Sequence, residues 1–376
     1  MDLNYGINGS ISADAARPIT INSSTPIGIV ATVNQGSTGL MKFNNATEGL
    51  AYIVTNSITE GTLYAALKGI ELQGVNCPLV VQLSTKAATE AEDITNVLAG
   101  IDELRYADAE TGIDLKNGLM IAPVHSADLS VGAKLDALST KLWTTGLTDD
   151  FSADEAGFKA YMGNFGSRYL LHCTGYYNAD GILIPNSAIM AGLIALWDSK
   201  TPFGWAKSHS NRIAKGVSGS PRRIEYLDGS DCEARRLRQD GGCMIVKDIG
   251  WRTYGFETRD IDPIWQSLAR VRTFHRMLAA ILKATKWARD READELLSVR
   301  KSIDEFLNEL IGNGVGIGFE VYFDELKNTK ATVTAGKFYL TIKFQDMPSI
   351  SELNIELIYS DAWSEVLINY INGEAA

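Results

Sequence analysis

The chain is short of the residues that usually announce chemistry. Four cysteines, Cys77, Cys173, Cys232 and Cys243, are spread over 376 residues with no CxxC pair, which argues for free thiols in a reducing compartment over disulfides or a zinc knot. The four histidines, His125, His172, His209 and His275, show no HExxH or HxH spacing, so no metal is expected. A phosphate loop of the GxxxxGK[ST] type is absent, and Gly216-Val217-Ser218-Gly219 misses the nucleophile elbow by one residue. His172 and Cys173 are adjacent in an extended run, where neighbouring side chains point to opposite faces and cannot form a dyad. No apolar run approaches the ~18 residues of a membrane span; the longest, Ala188 to Trp197, is interrupted by Gly192. The start, Met1 to Gly6, has neither a charged nor an apolar leader region, so no secretory signal is expected. An excess of positive charge is also missing. With 35 basic and 46 acidic residues the formal charge is −11, which argues against a general nucleic-acid or anionic-membrane binder.

What is present reads as alternating strands and helices. Pro26–Thr32, Cys77–Leu83 and Gly118–Pro123 are short apolar runs suited to buried strands. Helical spacing runs through Thr62–Leu72, Ala91–Tyr106, Val131–Thr144 and Asn186–Trp197, with Ser167–Cys173 extended. Such alternation implies a sheet covered by helices. Ala206–Gly242 is polar and rich in Ser, Gly and Arg, and is expected to form a long surface excursion. Gly314-Val315-Gly316-Ile317-Gly318 follows a helix and precedes a strand, the reverse of a dinucleotide loop.

A long helix is expected from Ile264 to Arg289, with Ile264, Leu268, Val271, Phe274, Leu278, Ile281, Leu282 and Thr285 on one face. His275 lies at its surface on this reading. A second helix, Glu295–Ile311, stops at Gly312. Gly318–Phe323 and Lys337–Phe344 alternate as antiparallel strands; Asn354–Tyr359 and Val366–Ile371 read as two more. Between Arg270 and Arg291 stand seven basic residues against one acidic, Asp290. Arg272, Arg276, Lys283 and Lys286 fall in a stripe about 80° wide, and Arg300-Lys301 could extend it as a rail for an acidic partner. At the other end, Gly6–Ser12 is a weak strand that needs a partner edge. An α/β enzyme with a site near residues 206–242, or an acidic module with a peptide-accepting edge, stays open on these residues alone.

Several segments together resemble the contractile-tail sheath family of myophages, R-type bacteriocins and related injection systems. They are Arg17-Pro18-Ile19 with Ser23–Val30, Gly61–Leu67, Met120–Pro123, Ile184–Gly192, Ile303–Leu310, Gly336-Lys337-Phe338 and Ile355–Ile358. The most specific is Gly250-Trp251-Arg252-Thr253, similar to the family signature with the order around Trp251 altered, followed by Arg270-Val271-Arg272. The resemblance implies an outer α/β domain (23–258), a C-terminal α+β domain next to an inner tube (259–360), and extended arms at 1–22 and 361–376. The arms would exchange strands between subunits, with Ile7 and Ile11 in one and Val366, Ile368 and Tyr370 in the other. It implies a non-enzymatic subunit without cofactor, nucleic-acid or membrane-inserted partner, assembled in a bacterial host's cytoplasm into six-fold rings. Further implied partners are an inner tail tube, a baseplate and a tail terminator. Arg272, Arg276, Lys283, Lys286, Arg300 and Lys301 would contact the tube.

Overall fold

A computed structural model describes residues 17–21 and 23–373; the expected strand with Ile7 and Ile11 lies outside them. In chain order the first part runs β1 (Ile27–Val33), β2 (Gly39–Phe43), α1 (Ala46–Thr55), α2 (Leu63–Gln73), β3 (Leu79–Thr85), α3 (Glu90–Glu103), α4 (Ala107–Thr111), β4 (Leu119–Ile121), α5 (Leu129–Leu142), β5 (Thr145–Asp150), α6 (Glu155–Met162) and β6 (Leu170–Thr174). It continues through β7 (Tyr176–Ala179), β8 (Ile182–Pro185), α7 (Asn186–Ser199), β9 (Val217–Gly219), α8 (Glu233–Gln239), β10 (Gly242–Asp248) and β11 (Gly250–Tyr254). The C-terminal part holds α9 (Leu268–Ala284), α10 (Glu295–Gly312), β12 (Gly316–Phe323), α11 (Lys330–Thr334), β13 (Leu340–Asp346) and α12 (Ser364–Ile371).

Eight strands form one sheet in the order β11-β10-β6-β5-β4-β1-β3-β2. The six central strands run parallel, and antiparallel β2 and β11 close the edges. Helices cover both faces, which is why β1, β4 and the first half of β3 are apolar at nearly every position. Ile27, Ile29, Leu79, Val81, Leu119 and Ile121 point to a core shared with α2 and α7. The residues between them, Val30, Val80 and Met120, meet Val97, Ile101, Val131 and Leu135 of α3 and α5. The period of two thus divides each strand between two cores.

α2 and α7 approach closely because small residues face each other. A Cβ on Gly192 would sit 2.8 Å from the Ile70 Cα, and one on Gly69 would sit 2.8 Å from the Ala188 Cβ. Residues 206–242 are more structured than their polarity suggests. They contribute β9 to an antiparallel sheet with β7 and β8, and α8, which buries Ala234 and Leu237. Their arginines reach back to acids: Arg222 to Glu233 at 2.5 Å, Arg236 to Glu155 at 2.9 Å and Arg238 to Glu257 at 2.6 Å.

Candidate assembly interface

The link between the sheet and the C-terminal module is a buried ion cluster. Asp198, near the end of α7, is fully buried. It accepts from Thr25 Oγ1 at 2.5 Å and from Arg272 Nη1 at 3.0 Å, with a second bond from Arg272 Nη2. His209 Nε2 lies 2.8 Å away and Arg276 Nη2 3.4 Å. Arg276 also donates to Thr25 Oγ1 at 2.6 Å and to the Asn117 carbonyl at 3.1 Å. Burial would push the Asp198 carboxyl up, but Arg272, His209 and Arg276 outweigh it and hold it well below the usual carboxylate range. Burial pulls the Arg276 guanidinium down to about 10 despite Asp198, and burial also lowers His209.

This corrects two of the six expected tube contacts. Arg272 and Arg276 are internal, each 3 % exposed. The physical reason is the inner face of α9. The core takes Leu268, Val271, Met277, Ala280 and Ile281 together with both arginines, whose charge Asp198 supplies a partner for. Ile264, Leu278 and Leu282, expected inside, are exposed. His275 is not at the surface either: it is half-buried and stacks on Tyr169 at 5.0 Å, and burial lowers its pKa to about 4. Lys283, Lys286 and Lys301 are exposed, and Arg300 is partly so, 3.7 Å from Asp304.

A second buried carboxylate sits at the carboxyl end of β5, where an α/β enzyme would place its site. Asp149 accepts from Ser187 Oγ at 2.6 Å, Ser187 N at 2.9 Å, Val124 N at 3.3 Å and Ser126 Oγ at 3.5 Å. Burial pushes its pKa up to about 6 while these donors restrain it. Its four donors tie the start of α7 to the loop after β4, a structural use of the position. Neither aspartate is marked in the sequence: Asp149 stands between Thr148 and Asp150, and Asp198 between Trp197 and Ser199.

In the C-terminal module α9 and α10 pack through Met277, Ile281, Val299, Ile303 and Phe306, with Trp205 and Ile19 filling the same core. β12 and β13 pair only with each other among the described residues. Phe319↔Phe344, Val321↔Ile342 and Phe323↔Leu340 face inward and Glu320↔Lys343 outward, the last a 3.0 Å ion pair. Except for Val321, these inner residues are only partly buried, because two strands cannot cover the module.

The first described residues reach the same module. The Arg17 backbone N–H donates to Ser302 Oγ at 2.9 Å, and its guanidinium lies 3.8 Å over Trp287. At the other end, every residue from 347 to 373 is exposed. Asn354–Tyr359 pairs with no strand among the described residues, so the expected strand is not formed. Val366, Ile368 and Tyr370 lie on helix α12, not on a strand. With no strand beside this tail among the described residues, its backbone hydrogen bonds close locally, as a helix. Trp251 packs edge-on to Tyr177 at 6.5 Å. Thr253 Oγ1 donates to the His209 carbonyl at 2.8 Å, and Arg252 Nη1 to Asn211 Oδ1 at 3.1 Å. The signature residues thus pin residues 209–212 along the outer edge of β11.

Among the described residues, then, the eight-stranded sheet is covered on both faces, while the two-stranded sheet of the C-terminal module and the apolar tail after it are not. The chain belongs to the tail sheath protein family. It is 33% identical over 270 residues to a prophage major tail sheath protein of Pseudomonas aeruginosa (strain UCBPP-PA14), covering 69% of each chain. It is 23% identical to the tail sheath protein of Escherichia phage P2, over 99% of each. Residues 260–358 match the family described as phage tail sheath C-terminal domain. The helical sheath of the anti-feeding prophage in its contracted state shares the fold, with a TM-score of 0.72 at 17% identity over 96% of this chain and 100% of that one. Among the described residues no helix is long and apolar enough to cross a membrane.

Proposed function

We propose that this subunit polymerises as stacked six-fold rings around an inner tube, held together by strand exchange, and contracts from a metastable extended state to drive the tube forward. A baseplate at one end and a terminator at the other, with assembly in the host cytoplasm, complete this reading. The observation that carries it is the pairing of an unfinished sheet with an unfinished strand on one chain. β12–β13 has half-covered inner side chains. Leu353, Ile355, Leu357 and Tyr359 alternate along a segment in which Leu357 is 94 % exposed and Tyr359 90 %. Laid along a neighbour's β12–β13 sheet, that segment finds backbone partners and an apolar face. Burying four such side chains contributes roughly 6–12 kcal/mol before ordering costs. That is enough to keep subunits linked while cores move.

No nucleotide is required, since contraction would run downhill through new contacts between cores. The surface basic residues of the module, Arg300 and Lys301 with Lys283 and Lys286, would meet the tube through exposed pairs of about 0–1 kcal/mol each. Contacts that weak can be released on contraction.

The test is electron microscopy of the purified chain beside an arm variant that carries Ile355→Asp together with Leu357→Asp. Hollow helical tubes from the parent and dispersed subunits from the variant are expected. Equal tubes from both would remove strand exchange by this segment. Reversing Arg300 and Lys301 to Glu should lower tube co-assembly while leaving sheath polymers intact.

A further inference from the structure

One helix and one stripe of the molecule are apolar, uncovered and bordered by opposite charge. On α12, Val366, Leu367, Tyr370 and Ile371 share a broad apolar face opposite Glu365 and Asn369, and all are exposed. An eight-residue helix without packing is marginal in water, so this one needs a seat. The chain holds no Lys or Arg after Lys343, only the carboxylates Asp346, Glu352, Glu356, Asp361, Glu365 and Glu374. On α9, Phe274, Leu278 and Leu282 form an i, i+4, i+8 line. Phe274 is covered by Trp265 and by Phe344 of β13, at ring separations of 5.2 and 5.9 Å. Leu278 and Leu282 are 44 % and 48 % exposed, and exposed Lys283 and Lys286 border them.

We infer that α12 of one subunit seats on the Leu278–Leu282 stripe of a second copy, with Asp361, just before the helix, toward Lys283 and Lys286. The inference rests on the strand exchange proposed above, which would bring the tail to the partner's β12–β13 sheet. The stripe continues directly from that sheet, because Phe344 packs on Phe274. Leu278 and Leu282 follow at about 6 and 12 Å along the helix axis, and α12 is itself about 12 Å long. Residues 360–363 are then the short link between the exchanged strand and the seated helix. Lys283 and Lys286 thereby lie between tail and tube.

The test uses the full chain carrying Leu278→Cys and Leu367→Cys together; the four native cysteines are buried. Oxidation of assembled sheath is expected to give a ladder of covalent multimers that either single substitution lacks. Assembled sheath without a ladder, or a cross-link confined to single chains, overturns the inference. Should the variant not assemble, a labelled peptide of residues 360–373 titrated with the parent chain gives an independent reading. Saturable binding is expected, weakened about tenfold or more by Leu282→Asp. It should also weaken with Lys283→Glu plus Lys286→Glu and recover when the peptide carries Asp361→Lys. Binding indifferent to these changes, or no saturable binding, overturns it. Deleting residues 361–376 separates the two readings: the seat predicts sheaths that form but dissociate at lower denaturant, while tubes untouched by this deletion and lost with Ile355→Asp and Leu357→Asp leave strand exchange alone standing.

Discussion

Two buried aspartates hold this molecule together in opposite electrostatic settings. Asp198 faces two arginines and His209, so its charged form is the favoured one. Removing one partner of a buried cluster leaves the others uncompensated, a loss of about 3–5 kcal/mol. Asp198→Asn is expected to lower stability by that amount in urea unfolding; a loss under about 1 kcal/mol would mean the guanidiniums find water or other acceptors. Because its folded pKa is depressed, the contribution of Asp198 is present above the unfolded value near 4 and fades as pH falls below it. Asp149 has the reverse sign. Its pKa is raised to about 6, so its contribution is fully present below about pH 4 and is lost as pH rises through about 6. The span corresponds to about 3 kcal/mol. Asp149→Asn should therefore compare worst with the parent near pH 4 and improve relative to it toward pH 7, measured as the difference in urea midpoints. A difference that does not vary with pH would show that Asp149 titrates normally in the fold.

Elements decide how much of this was legible in the sequence. α7 is apolar nearly all round, and its glycine is a packing contact with α2. Gly192→Ala gains up to about 1 kcal/mol of helix propensity but drives a methyl to 2.8 Å from the Ile70 Cα and 2.9 Å from its carbonyl oxygen. Backbone cannot step aside as a side chain can, so a net loss of about 1–3 kcal/mol is expected in thermal unfolding; a gain would mean that α2 and α7 slide apart freely. The central strands β1, β3 and β4 were readable because both faces are apolar. β5 was not: Thr145–Asp150 looks polar yet is buried at every position, its polar groups answered locally, as Thr148 by His172 at 2.8 Å. On the helix expected from Ile264, periodicity placed Leu268, Val271 and Ile281 inside, where they are, but also Ile264, Leu278 and Leu282, which are exposed. Nothing in a periodic pattern announces that arginines at 272 and 276 will point inward; that follows from Asp198, 74 residues before Arg272. The tail kept its apolar alternation in the sequence, but a strand needs an edge, and residues 354–359 lie along none among the described residues.

At the scale of the whole molecule, charge and assembly work against each other. Each copy carries a formal −11, and a polymer brings many such copies within a few ångströms. The proposed joints rely on backbone pairing and apolar burial, which salt does not weaken, whereas repulsion between copies extends about 10 Å at 0.1 M salt and about 3 Å at 1 M. The tube contact proposed for Arg300 and Lys301 has the opposite dependence, since it is an attraction between exposed charges. Raising NaCl from about 0.05 to about 0.5 M is therefore expected to increase the yield of sheath polymer from the chain alone, measured by sedimentation, and to decrease tube retention inside preformed sheath. If polymer yield instead fell with salt, opposite charges between subunits would be the main adhesive. The cohesion would then lie between cores, and the arms would be tethers that add little to it. If yield rose while tube retention stayed constant, the tube would be held by shape and apolar contact, and the basic residues left on α9 and α10 would have the acidic tail as their partner.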